Sequence, residues 1–230
     1  HTSGLNLFNI NWRGRSLSPS DSKFFKFDNK DFRDWLATCH KIMEMWVLDI
    51  VFGNNITNSD DVITYSGGCA QNVLWNDKLY SKYSNLYIPP HPYDGGLSVG
   101  CFEFGKLLKN INIKETPDMQ FPYWQDDNEI ETPSEDIIKE CAKLLSEGKI
   151  IGWFQGRGEI GPRALGNRSI LLHPGLENGK QILNDRIKHR EHWRPFAPSV
   201  LVEEADKWFE ETENCNYMLR SVLVKPEQAE

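Results

Sequence analysis

The residues with the most chemistry in them crowd into one stretch. Between Gly156 and Phe196 stand Arg157, Arg163, Arg168, Lys180, Arg186, Lys188, Arg190 and Arg194, against Glu159, Glu177, Asp185 and Glu191. A local excess of cations in a chain of net charge −7 asks for an anionic partner. Several of these side chains flank proline or glycine, which gives their loops a defined shape: Arg163 follows Pro162, and Arg194 precedes Pro195. A guanidinium fork matches phosphate and carboxylate oxygens, and several cations converging on one pocket suit a small dianion. Arg163, Lys188 and Arg194 are the candidates for that pocket. Arg186 and Arg190 read better as an ordinary solvated helix flank. If a helix runs through this region, Asn184, Lys188 and Glu191 fall on one face at i, i+4 and i+7, and that face can point into the same pocket.

Two familiar phosphate motifs do not fit. Gly156 to Gly161 spells G-x-G-x-x-G after a strand, but Pro162 and Gly166 interrupt the helix that would receive a pyrophosphate. The acid expected further on is only Glu177, in a loop. Gly175 to Lys180 has the wrong spacing for a P-loop and no Ser or Thr after the lysine. Earlier in the chain, Ser66-Gly67-Gly68 follows a strand. Adjacent glycines let a backbone approach a phosphate or ribose and offer N–H donors, although a tight turn accounts for them equally well. Asp94, within Pro89-Pro90-His91-Pro92-Tyr93-Asp94-Gly95-Gly96, is by residue type a turn former.

Taken together, Gly156-Arg157-x-Glu159-x-Gly161-Pro162-Arg163-Ala164-Leu165-Gly166-Asn167-Arg168-Ser169 and Asn184-x-x-x-Lys188-x-Arg190-Glu191-x-x-Arg194-Pro195-Phe196-Ala197-Pro198 closely resemble the C-terminal half of the NodU/tobramycin carbamoyltransferase family. Ser66-Gly67-Gly68-Cys69-Ala70-x-Asn72 and the proline-rich turn around Asp94 resemble its N-terminal half. That family joins a domain of the sugar kinase–heat-shock–actin superfamily to a YrdC-like domain. The resemblance implies an ATP-dependent O-carbamoyltransferase, in which carbamoyl phosphate and ATP give a carbamoyl-adenylate whose carbamoyl group passes to a hydroxyl of a small metabolite. It implies that Arg163, Lys188, Arg194, Arg168 and Asn184 hold carbamoyl phosphate, with Lys188 and Arg163 also catalytic. Gly67, Gly68, Asn72 and Arg157 would then lie at the nucleotide. The family has two successive acids in the proline-rich turn; here the second position is Gly95, so the metal role falls to Asp94 alone. The implied cofactors are ATP and Mg2+, with Fe2+ in a full-length enzyme. The implied partners are carbamoyl phosphate, ATP and a hydroxylated acceptor, with no nucleic acid and no membrane. The alternative is an RNA-binding or tRNA-modification module related to threonylcarbamoyl-adenylate synthesis. An acidic pI of about 5.4 and the Gly-Pro-Arg-Ala-Leu-Gly segment count against it.

These residues need elements to position them. Phe32, Leu36, Cys39, Met43, Trp46 and Ile50 repeat with a helical period, predicting a helix over 28–52 that buries its Trp and Met residues. A strand is expected at 62–65, a helix at 70–79, a strand at 85–88 and a helix at 97–108. Prolines and acids between 111 and 134 predict a linker. Beyond it come a helix from Glu135 closed by Gly148, a buried strand at 149–154, a strand at 169–172, a helix at 180–192 and a strand at 199–202. Alternating strands and helices make the expected fold class α/β. By the resemblance, residues 1–110 are part of an actin-like domain and 135–230 the start of a YrdC-like one.

Nothing in the sequence approaches the roughly 18 apolar residues of a membrane-spanning helix. The five cysteines are scattered and never form C-x-x-C, which fits buried thiols in a reducing cytoplasm better than disulfides or zinc. The opening His1-Thr2-Ser3-Gly4 and the missing paired histidines of the family predict an internal fragment, inactive alone and weak in iron or zinc binding.

Overall fold

The computed structural model describes residues 29–53, 61–111, 122–123 and 132–228. The chain divides into two units, 1–58 and 59–230. In the first, Asn29 starts helix α1 (Lys30–Met45) by accepting hydrogen bonds from the Asp31 and Phe32 amides. The helix widens into π-helical turns over Trp46–Phe52. Its place agrees with the apolar rhythm, but its buried face does not. Phe32 and Phe52 are buried, whereas Met43, Trp46 and Ile50 are exposed. Widened turns advance each residue by less than an α-helical step, which carries Trp46 and Ile50 off the stripe that the 3.6 period defines.

In the second unit, β1 (Ile63–Thr64) pairs in parallel with β2 (Leu86–Tyr87), Ile63 opposite Leu86. Parallel strands need a crossover. A 3-10 turn at Gly68–Gln71 and helix α2 (Val73–Lys82) supply it, so the helix expected at 70–79 starts later and ends later. Ala70, Trp75, Leu79, Tyr83, Leu86, Ile88 and Leu219 form the core here. A second 3-10 turn, Asp94–Gly96, leads into α3 (Leu97–Leu108), at the limits the sequence predicts.

Ser134 caps α4 (Glu135–Ser146), which packs on β3 (Ile151–Phe154). β3 pairs antiparallel with β4 (Arg168–Leu171), Phe154 opposite Arg168. The strand expected to be buried is instead one arm of a two-stranded hairpin, and Phe154 is 70% exposed. With α4 packed against this two-stranded hairpin and no second layer among the described residues, burial on both faces does not arise.

Two further expectations are corrected. Helix α5 (Gly179–Leu183) runs into π-helical turns at Asn184–Lys188 and stops at His189, whose backbone is left-handed at φ 46°. Glu191 is therefore off the helix and does not share a face with Asn184 and Lys188. The segment expected as a strand at 199–202 pairs with no strand among the described residues; Val202 instead opens α6 (Val202–Trp208). Glu203 and Glu204 in its first turn suit the positive end of a helix dipole.

The last stretch folds back on α2. The fully buried Asn76 donates from Nδ2 to the Ala70 and Leu219 carbonyls at 2.8 and 2.7 Å. Arg220 reaches Asp77 at 2.8 Å. The architecture is mixed helix and sheet. Most of the stretch 111–134 lies outside the described residues, and its Pro122 and Tyr123 pack on the β3–β4 loop.

Candidate functional site

The β3–β4 connection carries Arg157, Arg163 and Arg168, and its shape comes from one carboxylate. Glu159 Oε1 accepts from the Leu165 amide at 2.8 Å and from the Asn167 amide at 2.9 Å. Around this, the Asn167 side chain donates to the Arg157 carbonyl and the Gln155 side chain to the Gly166 carbonyl. The Tyr123 hydroxyl donates to the Leu165 carbonyl at 3.0 Å, and the Ile160 amide to the Pro122 carbonyl. Burial, and then the neighbouring Glu159 charge, push Tyr123 above its ordinary pKa, so the phenol keeps the proton it donates. The backbone turns through left-handed conformations at Gly161 (φ 132°) and Gly166 (φ 112°), where a side chain would be strained.

The arginines sort by what holds them. Arg168 directs its guanidinium to the carbonyls of Gln155, Gly156 and Asn167 at 2.7–3.4 Å and stacks over the Phe154 ring. It braces the hairpin. Arg163 and Arg157 are half-buried on the loop, and no hydrogen bond or ion pair engages either guanidinium among the described residues.

A second frame surrounds Asn184, which is fully buried. Its Nδ2 donates to the His192 and Arg194 carbonyls, and its Oδ1 accepts from Arg190 Nε at 2.7 Å. Arg190 also donates to the Pro195 carbonyl and lies over the Phe196 ring. Arg190 is thus no solvated flank, and Asn184 holds the loop that presents Arg194. The Arg194 side chain is exposed and, among the described residues, makes a single long ion pair with Glu191, at 3.7 Å. Lys188 is exposed, with no hydrogen bond or ion pair among the described residues.

In the first half, Gly67 and Gly68 face open space: a Cβ at either would meet nothing within 4 Å. Asn72 caps α2, its side chain accepting from the Leu74 and Trp75 amides. The Gly67 amide donates to the Pro92 carbonyl. Next to Pro92, the buried His91 ring packs toward the arginine loop, where a Cβ at Gly161 would lie 3.9 Å away. Burial lowers the His91 pKa and keeps the imidazole neutral. The Gly67 amide and Gly161 thus each lie against the 91–92 turn.

Asp94 is exposed at the end of that turn. A side chain at Gly95 would come within 2.8 Å of the Tyr93 and His91 rings, so a second acid there needs both rings to move. Among the described residues, no group of three or more His, Cys, Asp or Glu side chains is arranged to hold a metal ion. One exposed carboxylate does not make a transition-metal site.

The residues missed in the sequence are Glu159 and Tyr123, together with the bracing role of Arg190. Glu159 stands in the motif that begins at Gly156, but neither its type nor its spacing tells that it holds the Leu165 and Asn167 amides. Tyr123 lies in the stretch read as linker, and no local pattern links it to residue 165.

Comparison with known proteins adds the following. Residues 17–102 match the family profile "Carbamoyltransferase N-terminus" and residues 142–230 match "Carbamoyltransferase C-terminus". Nodulation protein NolNO of Sinorhizobium fredii is 32% identical over 77% of this chain and 29% of its own length. Nodulation protein NolO of Bradyrhizobium diazoefficiens is 32% identical over 77% of the chain and 36% of its own length. Nodulation protein U of Azorhizobium caulinodans is 33% identical over 84% and 36%. The chain spans about a third of the length of these relatives.

Proposed function

The chain belongs to the carbamoyltransferase family of enzymes, and on that premise we propose that it carries the carbamoyl phosphate site of an ATP-dependent O-carbamoyltransferase. Arg163, Lys188 and Arg194 bind the phosphate of carbamoyl phosphate. Gly67 and Gly68 offer a backbone face to ATP, whose Mg2+ would balance phosphate charge. Water cleaves carbamoyl phosphate to carbamate and inorganic phosphate. The carbamate oxygen then displaces pyrophosphate from the α-phosphorus of ATP to give the carbamoyl-adenylate. A hydroxyl of a small metabolite takes the carbamoyl group, and AMP and a proton leave. Lys188 neutralises charge as the carbamate oxygen nears the nucleotide phosphorus.

The observation that carries this reading is that two loops lie against one turn. Gly67 is bonded to Pro92, and His91 beside it packs toward Gly161, two residues from Arg163. A glycine pair facing open space and an arginine with uncommitted donors are what a nucleotide and a small dianion need side by side. The presence of Arg168 and Arg190 does not argue for ligand binding, because their guanidinium groups are committed to the protein's own carbonyls.

Calorimetry with carbamoyl phosphate tests the site. A charge-assisted hydrogen bond contributes about 1.5–3 kcal/mol, so Arg163→Ala and Arg194→Ala should each weaken binding about tenfold or more. Wild-type affinity in both variants would remove the anion reading.

A further inference from the structure

Leu165 is gripped at both of its backbone groups. Its N–H donates to the Glu159 carboxylate at 2.8 Å, and its carbonyl accepts from the Tyr123 hydroxyl at 3.0 Å. The same carboxylate oxygen takes the Asn167 amide at 2.9 Å. Tyr123 and Glu159 are themselves paired through an antiparallel β-bridge, so donor and acceptor come from two adjoining strands of backbone. Arg163 lies two residues before the point held, on a loop whose two ends are fixed by Gln155 and Asn167.

We propose that Glu159 and Tyr123 form a clamp that positions Arg163 for the anion without touching it. The proposal rests on the reading of Arg163 given above. The physical argument concerns the alternatives open to the loop. A loop bounded by glycines at 156, 161 and 166 has a broad set of backbone states. An arginine on such a loop would have to be ordered at the moment of binding, which weakens affinity. Glu159 removes that freedom because a single oxygen holds the amides of Leu165 and Asn167, two residues apart, and Tyr123 fixes the intervening peptide from the other side. The carboxylate also answers the amides that the loop would otherwise present to solvent anions. Selection among anions is then left to the arginine fork.

The clamp predicts an unusual pattern of substitutions. In the intact protein, Glu159→Ala should speed amide exchange at Leu165 and Asn167 at least tenfold, because both lose their acceptor. Its dissociation constant for carbamoyl phosphate should rise about tenfold, with affinity for ATP within about twofold of wild type. Glu159→Gln keeps an oxygen in place and should restore most of the carbamoyl phosphate affinity. Tyr123→Phe, the milder variant, should raise the dissociation constant about threefold. In Glu159→Ala/Arg163→Ala the two losses should not add, since a misplaced arginine and a missing one are equivalent to the ligand.

Each outcome decides something. Unchanged exchange at Leu165 and Asn167 in Glu159→Ala overturns the clamp. Wild-type affinity in Glu159→Ala while Arg163→Ala is weakened overturns its role in binding but leaves the anion site intact, as would fully additive losses in the double variant. Wild-type affinity in Arg163→Ala, with Arg194→Ala weakened, removes Arg163 from the anion site and overturns any substrate role for the clamp; wild-type affinity in both overturns the site itself.

Discussion

An arginine on a loop can bind a ligand or brace the protein, and which it does depends on where its donors go. Arg168 and Arg190 send theirs to backbone carbonyls and stack on aromatic rings; Arg163 does neither among the described residues. The two kinds should separate in experiment. Arg168→Met leaves three carbonyls short of a donor and should cost about 2 kcal/mol of stability in urea unfolding. Arg163→Ala should cost about 1 kcal/mol or less, since its half-buried guanidinium has no hydrogen bond or ion pair to lose among the described residues. Equal losses would mean that Arg163 also braces the fold. The type and density of these residues are legible in the sequence, and so is the preference for a dianion. Their division of labour is not, because it depends on carbonyls many positions away, such as Gln155 for Arg168 and Pro195 for Arg190. Asn184 is the clearest case. Its residue type and spacing suit a ligand, yet its amide lies buried against the His192 and Arg194 carbonyls.

Helices were the legible elements, α3 to both of its limits, although the helices expected at 70–79 and 180–192 have other ends. Asn29, Asn72 and Ser134 each stand where a side-chain oxygen can accept the first free amides, and each does. Asn72 links this scale to function, since the family resemblance places it at the nucleotide while the geometry makes it a cap. Asn72→Ala should lower stability by about 1 kcal/mol, whereas Asn72→Asp should preserve the cap. If nucleotide affinity falls in both variants, the asparagine serves ligand as well as helix; a fall confined to Asn72→Ala would follow from the cap alone. Faces were misread at Met43, within the regular part of α1, and where the helix leaves the 3.6 period, at Trp46–Phe52 and Asn184–Lys188. Nothing in residue type announces a π-helical turn. The strand expected at 199–202 failed for a different reason: Val200, Leu201 and Val202 favour extended backbone, but a strand exists only through a partner, and none pairs with it among the described residues.

At the scale of the molecule, no described helix is long and apolar enough to cross a membrane. The donor set around Asp94 leads to a direct expectation: after dialysis, elemental analysis of this chain should find iron and zinc well below one equivalent. Stoichiometric retained metal would require ligands outside those described. The core of the second unit also carries a pH dependence. Burial, reinforced by the nearby Cys69 thiol, pushes the Tyr65 phenol from its ordinary value of 10 up to about 12. A phenol that ionises later in the folded chain than in the unfolded one stabilises the fold fully below the unfolded value. That contribution is then lost as pH rises from 10 toward 12. Tyr65→Phe should therefore lose less stability than wild type as pH rises from about 10 to about 12 in urea unfolding. A parallel decline in the two proteins would assign the alkaline sensitivity to other groups. The bond from Asn76 to the Leu219 carbonyl joins residues 143 positions apart. On a ribosome adding about 5–20 residues each second, the partner of Asn76 emerges roughly 7–30 s after it does. For that interval α2 has its strand pair but not its lid, and the nascent chain offers an open apolar seam to whatever chaperone is at hand.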